Sequence, residues 1–281
     1  MYPQGLFGIE ALQLLILPIA VFGMLFFILY LRQDGVRVAR TVVLLLLLGV
    51  VGFLGAKVFS LYVRGWELYQ PLSQELRGGL RYPGALLAMA LLGPLLKRWL
   101  LPDLPLGRFL DVLAITVCFA FTLVRFSCWM NGCCTGAPCS GIFCLSYAPG
   151  SQVWYAHWQH GLLESPVDGS LPALPLHFLF MAASFSVGVF LMWFDGRRSF
   201  DGQLALLYLV LHDGAKGLLE SFRDPYVAEL QVTSLLTSAA GLLVLFAILR
   251  WRRSRGARYS SRSMAVRAPA KPRFPTFCAR H

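Results

Sequence analysis

Four charged side chains suggest the chemistry of this sequence. In the segment "GAKGLLESFRDP", Lys216, Glu220 and Arg223 are spaced i, i+4 and i+7, so they share one face of a helix. Arg125 ends another long apolar run. Because a guanidinium group binds two phosphate oxygens at once, we predict that Arg125 and Arg223 bind an anionic lipid headgroup, with Lys216 as a helper. Glu220 would orient a cation or accept a proton; an internal ion pair without a ligand is the alternative.

A second group is rich in sulfur. The stretch "VRFSCWMNGCCTGAPCSGIFC" begins at Val124 and contains five of the seven cysteines: Cys128, Cys133, Cys134, Cys139 and Cys144. It lacks the C-x-x-C spacing that is typical of zinc sites and thiol oxidoreductases. Adjacent cysteines are poorly placed to bond each other. We therefore predict disulfides that link Cys133 or Cys134 to the other three, with free thiols as the second interpretation and a metal site as the third.

The composition indicates a membrane protein. Of 281 residues, 57% are hydrophobic and 14% are charged, whereas about a quarter of a soluble domain is charged. Long apolar runs of this kind predict an all-α, polytopic fold. We predict about seven spans, of which the third, fourth and sixth are short or carry charge: Gly8–Leu31, Thr41–Val63, Gly84–Leu101, Gly107–Val124, Ala173–Phe194, Gly202–Leu219 and Val232–Trp251.

Arginine and lysine predict the orientation. Basic residues are abundant after the last span, and they favour the cytoplasmic side of a membrane. The N-terminus is then outside, as is the loop 125–172, which lies where cysteines tend to form disulfides. We predict a membrane domain over residues 1–251 and a basic, disordered tail over residues 252–281. Such a tail is typical of a solvated segment near anionic lipid, so no nucleic-acid partner is predicted.

Several motifs together resemble those of one enzyme family. The segments "GFLGAKVF", "RYPGALLAMALLG", "VRFSCWMNGCCTG", "LPLHFLF" and "GAKGLLESFRDP" are similar, in order and approximate spacing, to motifs of the prolipoprotein diacylglyceryl transferase family. The resemblance covers about residues 44–225. It implies a seven-span enzyme of the bacterial inner membrane. Such an enzyme moves the diacylglyceryl group of phosphatidylglycerol onto the lipobox cysteine thiol of a preprolipoprotein, without a cofactor or metal.

The resemblance transfers four residues to this chain, namely Arg125, Asn131, Glu220 and Arg223. Other positions differ from the family pattern. Tyr82 stands where the family has a histidine, Cys128 and Cys133 replace an asparagine and a glutamate, and Lys216 stands for an arginine. The substrate supplies the thiol nucleophile in this reaction, so the enzyme needs a base and cations for the leaving phosphate.

Three residues are candidates for that base: Tyr82, His177 and Glu220. His177 has the most convenient ordinary pKa of the three. The predicted partners are phosphatidylglycerol, the signal peptides of preprolipoproteins and membrane lipids. Two other functions fit parts of the sequence. A catalytically silent relative that binds phospholipid or lipoprotein precursors would explain the differences in the motifs, and a membrane thiol–disulfide oxidoreductase would explain the cysteines.

Overall fold

The computed structural model describes residues 11–63, 82–165, 167–223 and 228–266. Within these ranges the protein is built from helices, and its extended pairings are isolated bridges. The predicted all-α membrane fold is confirmed. We number the helices in chain order as α1 (Ala11–Arg32), α2 (Val38–Val63), α3 (Tyr82–Leu100), α4 (Leu106–Asn131), α5 (Gln152–Gln159), α6 (Leu176–Asp195), α7 (Gln203–Tyr208), α8 (Gly214–Glu220) and α9 (Ala228–Val266).

Five of the described helices are long and apolar enough to cross a membrane: α1, α2, α4, α6 and α9. Large apolar side chains such as Leu17, Leu46 and Leu243 lie exposed along them, as a lipid-facing surface requires. The predicted third and sixth spans coincide with α3 and with α7 and α8. Helix α3 has Lys97 and Arg98 in its last turn, and the sixth segment is divided into short pieces. A total of seven spans and the predicted orientation therefore stay predictions.

Helix α4 lies at the centre of the packing. Phe109 of α4 meets Phe27 of α1 edge to face, with ring centroids 5.6 Å apart. On its other side α4 lies so close to α6 that a Cβ atom added to Gly188 would be 3.0 Å from the Cβ atom of Cys118. Because neighbours fix α4 along most of its length, the side chains at its two ends have defined positions.

A π-helical turn, Leu209–Asp213, joins α7 to α8. His212 within it is buried, and its Nε2 atom lies 3.1 Å from the hydroxyl of Ser184 on α6. Asp213 accepts a hydrogen bond from Thr237 of α9 at 2.8 Å. The predicted sixth span is therefore not one regular helix. The wider turn changes the face that α8 presents, and such turns are frequent at functional sites.

Helix α9 continues past the predicted end of the membrane domain. The tail was expected to be disordered from residue 252, but α9 extends to Val266. Adding a residue to an existing helix costs little, since the nucleus has already formed. The first part of the predicted tail is thus helical, and residues 267–281 lie outside the described ranges.

The loop between α4 and α6 folds over the ends of those helices. Cys139 and Cys144 form a disulfide within it, with a Cα–Cα distance of 5.9 Å. Leu145 and Ala173 pair through two backbone hydrogen bonds of 3.0 Å. Ser151 caps α5 by accepting a hydrogen bond from the Trp154 amide at 3.3 Å. These contacts give the residues that follow α4 a fixed path.

Candidate functional site

Two left-handed residues turn the chain back at the end of α4. Gly132 has φ 59° and its amide donates to the carbonyl of Trp129, so it ends the helix as a left-handed C-terminal residue does. Cys134 has φ 56°, which is uncommon for a residue with a side chain. The reversal brings the Cys134 sulfur within 3.9 Å of the Cys128 sulfur, one turn back on α4.

Arg125 is buried at this end of α4, with only 7% of its surface exposed. Its guanidinium group lies over the rings of Phe180 and Phe121, at 4.3 Å and 5.3 Å from their centroids. The Nη1 atom donates to the sulfur of Cys134 at 3.3 Å. The Nε atom is buried and has no hydrogen-bond partner among the described residues. An orphaned donor on a buried cation is costly, so this nitrogen is suited to an anionic ligand.

Arg223 approaches the same sulfur from the end of α8. Its backbone forms an antiparallel bridge with Gly136, where an added Cβ atom would be 2.5 Å from the carbonyl oxygen of Phe222. Only glycine allows so close an approach. The Arg223 side chain pairs with Glu220, which is 1% exposed, at 3.1 Å, and its Nη2 atom lies 3.8 Å from the Cys134 sulfur.

The two guanidinium groups therefore converge on one thiol. Hydrogen bonds from Cys128 and Cys133, and the charges of Arg125 and Arg223, lower the pKa of Cys134 to about 2. The pKa of Cys133 is raised, because its thiol takes the donor role toward the neighbouring sulfurs. Although burial lowers the pKa of Arg223, the adjacent Cys134 and Glu220 raise it overall. Both cations therefore favour the thiolate form of Cys134.

His177, a predicted base, begins α6 and is fully buried beside this group. Its Nε2 atom lies 3.5 Å from the hydroxyl of Tyr147, and its Nδ1 atom has no hydrogen-bond partner among the described residues. Burial raises the pKa of Tyr147 to about 12. Tyr147 was not predicted from the sequence, because a single tyrosine in a loop has no spacing that points to the histidine.

A cavity of about 170 Å³ reaches the thiols between the loop, α5 and the end of α8. Cys133, Cys134 and Arg223 form part of its wall, together with His157 and His160. The cavity gives a small group access to the sulfur atoms. The polar groups in its wall suit an ionic or thiol-bearing ligand better than an acyl chain.

Three other predicted site residues are Asn131, Lys216 and Tyr82. Asn131 is the last residue of α4 and is half-buried. Lys216 lines a groove of about 380 Å³ between α4, α8 and α9, and its charge interacts with those of Glu220, Arg125 and Arg223. Tyr82 begins α3, but its side chain lies outside the described part of the chain.

The structure changes the predicted cysteine pairing. Of the five candidates only Cys139 and Cys144 are bonded, whereas Cys128, Cys133 and Cys134 are free thiols. The prediction that a disulfide joins Cys133 or Cys134 to another cysteine does not agree with this arrangement. The turn at Gly132 carries these two residues away from the Cys139–Cys144 loop and toward the arginines. Cys118 is free and buried, and Cys278 lies outside the described ranges.

Comparison with known proteins identifies a family. The family model for prolipoprotein diacylglyceryl transferase matches residues 7–251, which include α1 to α8, the part of α9 up to Trp251, and both arginines of the site. A comparison with individual curated proteins gives no match. The family is one of membrane transferases that act on phospholipid and prolipoprotein substrates. On the extent of this match, the chain belongs to the prolipoprotein diacylglyceryl transferase family.

Proposed function

We propose that this protein transfers the diacylglyceryl group of phosphatidylglycerol to the lipobox cysteine of preprolipoproteins, in the inner membrane of a bacterium. One observation carries the proposal. Arg125 and Arg223 meet at a single point, and the Nε atom of Arg125 is left with an unused hydrogen. Two guanidinium groups that converge are suited to a phosphate group, and the phospholipids of a membrane are phosphate esters.

The leaving group explains why two arginines are needed. The acceptor thiolate attacks the glyceryl carbon of the lipid, the carbon–oxygen bond breaks, and glycerol phosphate departs with one more negative charge than the bound diester had. Hydrogen-bond donors that already point at this developing charge lower the activation barrier strongly, because they do not have to reorient during the reaction. The pairing with Glu220 holds Arg223 in place for this role. We therefore assign Glu220 as a positioning residue.

His177 is the best placed candidate for the proton acceptor. Its Nδ1 atom is free of partners among the described residues, while the hydroxyl of Tyr147 lies near the other nitrogen. A base must reach the proton that it removes and must have an open acceptor atom. Tyr147 would fix the ring so that Nδ1 faces the incoming thiol. Tyr82, at the position of the family histidine, stays a second candidate.

The acyl chains need an apolar surface near the headgroup. A groove of about 590 Å³ lies between α1, α2 and α4, and most of its wall is apolar. Ala120 of α4 belongs to that wall. It precedes Arg125 by about 7.5 Å along the helix axis, so the groove approaches the proposed phosphate site. We assign the diacylglyceryl chains to this groove.

Transfer by the purified protein tests the function. Detergent-solubilised full-length protein is mixed with phosphatidylglycerol vesicles and a lipobox peptide, and the mass of the peptide is followed. We expect the mass of one diacylglyceryl group to be added, and we expect Arg125→Lys and Arg223→Lys to lose most of the rate, because lysine cannot bind two oxygens in a fork. Arg197→Lys is the matched control, since Arg197 is exposed and contacts Trp193 at the far end of α6.

Two results would overturn the proposal. Full transfer by both Lys variants would remove the phosphate role of the arginine pair. Binding of phosphatidylglycerol without any transfer by the wild-type protein would instead identify a silent relative. The membrane domain over residues 1–251, with loop 125–172 outside, belongs to the same proposal. Labelling of cysteines introduced into that loop of intact cells, with an impermeant reagent, tests the orientation.

A further inference from the structure

The phosphate role does not use the sulfur atoms of Cys128, Cys133 and Cys134. These three atoms all lie within 4.8 Å of one another, and those of Cys128 and Cys134 are 3.9 Å apart. A zinc–sulfur bond of about 2.3 Å in a tetrahedral site places two sulfurs about 3.8 Å apart. The described thiols are therefore already spaced as ligands of one ion. They are too far apart to be a disulfide, whose sulfurs lie about 2.05 Å apart.

The donor set also leaves room for a substrate. Zinc in proteins usually has four ligands. Structural sites take all four from the protein, whereas catalytic sites take three and leave the fourth position open. All three cysteines are half-buried, and Cys133 and Cys134 form part of the wall of the 170 Å³ cavity. The fourth position therefore faces a space from which a thiol can enter.

The nearby arginines suit this site by charge. Three thiolates and a divalent cation carry one net negative charge, and a fourth thiolate brings the total to two. A buried complex of that charge is costly without counter-ions. Arg125 and Arg223 both donate to the sulfur of Cys134, so they supply two positive charges and the hydrogen bonds that orient a metal ligand.

We infer that Cys128, Cys133 and Cys134 bind a zinc ion, and that its open position takes the acceptor cysteine thiol. This inference rests on the proposed function and names how the nucleophile is activated. The thiol loses its proton to His177 or water as it binds. Its sulfur then forms the bond to the glyceryl carbon, and the electron pair of the broken carbon–oxygen bond leaves on the phosphate. The product thioether is a weaker ligand and dissociates, and no atom changes oxidation state.

Metal binding is measured without reference to activity. Full-length protein is purified in detergent under reducing conditions, incubated with zinc, dialysed, and analysed by mass spectrometry of the elements. We expect about one zinc per chain, and an affinity at least about tenfold weaker in Cys128→Ser and in Cys133→Ser. Cys118→Ser is the matched control, because Cys118 is a free cysteine of α4 outside the cluster.

Cobalt(II) in place of zinc reports the ligands directly. We expect the sulfur-to-cobalt absorption of a site with three thiolates, which changes when a lipobox peptide binds and does not change with a peptide that has serine for cysteine. A wild-type protein that binds neither metal overturns the inference, as does a native Cys128–Cys134 disulfide in non-reducing mass spectrometry. Either result would mean that these cysteines have a redox role or are free thiols without a metal.

The two proposals fail in different ways. If metal-free protein transfers lipid at the full rate, the proposed function stands and the activation of the acceptor thiol by zinc is wrong. If the protein binds cobalt through three sulfurs but transfers nothing, the metal site stands and the proposed function is wrong.

Discussion

Two arginines of α4 stand in contrasting surroundings. Arg108 and Arg125 are both buried, with 5% and 7% of their surfaces exposed, and are about 26 Å apart along one helix. Arg108 donates to Asp34 at 2.8 Å and to Asp195 at 2.7 Å. Arg125 has no carboxylate partner among the described residues; its neighbours are two aromatic rings and a sulfur atom. Arg108 is paired with carboxylates of the protein itself, whereas Arg125 retains an unused hydrogen-bond donor.

The size of the adjacent cavity does not explain the difference between the Arg108 end and the Arg125 end of α4. The cavity beside Arg108 measures about 400 Å³, against about 170 Å³ beside Cys134. The larger one has acids and bases that already pair with each other, including Arg108 and Asp34. Unused hydrogen-bonding capacity, rather than volume, distinguishes a binding site from a structural ion-pair network.

The largest effect is expected from a change at Arg125, whose hydrogen-bond donors are not all used. We expect Arg125→Gln to lower the transfer rate about a thousandfold, because it removes a donor at the point where charge develops. The stability of the fold should stay the same or rise, since a strained buried cation is gone. Transfer kinetics and thermal unfolding in detergent measure both. A drop in stability as large as that of an Arg108 variant would mean that the two ends do not differ.

The second largest effect is expected from a change at Arg108, which is paired with two carboxylates. Arg108→Ala leaves Asp34 and Asp195 without their shared cation, and breaking such a pair costs about 3 kcal/mol in unfolding free energy. The rate per folded molecule should not change. Denaturant unfolding in detergent and active-site titration give the two numbers. Arg197→Ala, at an exposed position, is the control, and loss of rate without loss of stability would contradict the structural role.

A smaller effect is expected from the disulfide. Cys144→Ser opens a loop with a sequence separation of 5, and loop-closure entropy for so short a segment is worth about 2 kcal/mol. Neither cysteine touches the arginines in the described contacts, so transfer should continue at nearly the wild-type rate. Thermal unfolding with and without reductant measures the change. Equal unfolding temperatures for the wild type and the variant would show that the bond contributes nothing.

The smallest effect on stability is expected from a change at Asp111, which lies near Arg108 in α4 and contacts the start of α7. Asp111 accepts hydrogen bonds from the Gly202 amide at 2.8 Å and the Ala205 amide at 3.0 Å, and so holds the start of α7. Asp111→Asn keeps one acceptor oxygen and loses the other, at a cost of about 1 kcal/mol. Thermal unfolding measures it. A change in transfer rate per folded molecule would show that the two ends communicate.

Sequence patterns predicted part of this arrangement. Apolar runs gave the helices, because a bilayer demands long hydrophobic segments whatever the neighbours are. The spacing of Glu220 and Arg223 placed them on one face of a helix, and the ion pair that they form was the alternative interpretation of that spacing. Both are local or solvent-driven effects, so the residues themselves contain the information.

The rest depends on tertiary contacts that no single segment specifies. Cys128 and Cys134 come together because Gly132 and Cys134 adopt left-handed conformations, and a cysteine gives no sign of that. Arg108 meets partners that are 74 and 87 residues away in the chain. The free thiols were predicted as disulfides because compartment and count favoured that chemistry, whereas the geometry of one turn decides it.

The π-helical turn Leu209–Asp213 has a consequence for how related sequences are aligned. Deleting one residue from it would turn every later side chain of α8 by about 100° and draw it back by about 1.5 Å. Glu220 and Arg223 would keep their identities and lose their orientation toward Cys134. A one-residue gap at 209–213 in an alignment therefore matters as much as a substitution at the site. In a relative with such a gap, we expect that Arg223 no longer points toward Cys134, or that other changes restore its position, even where the aligned residues are identical.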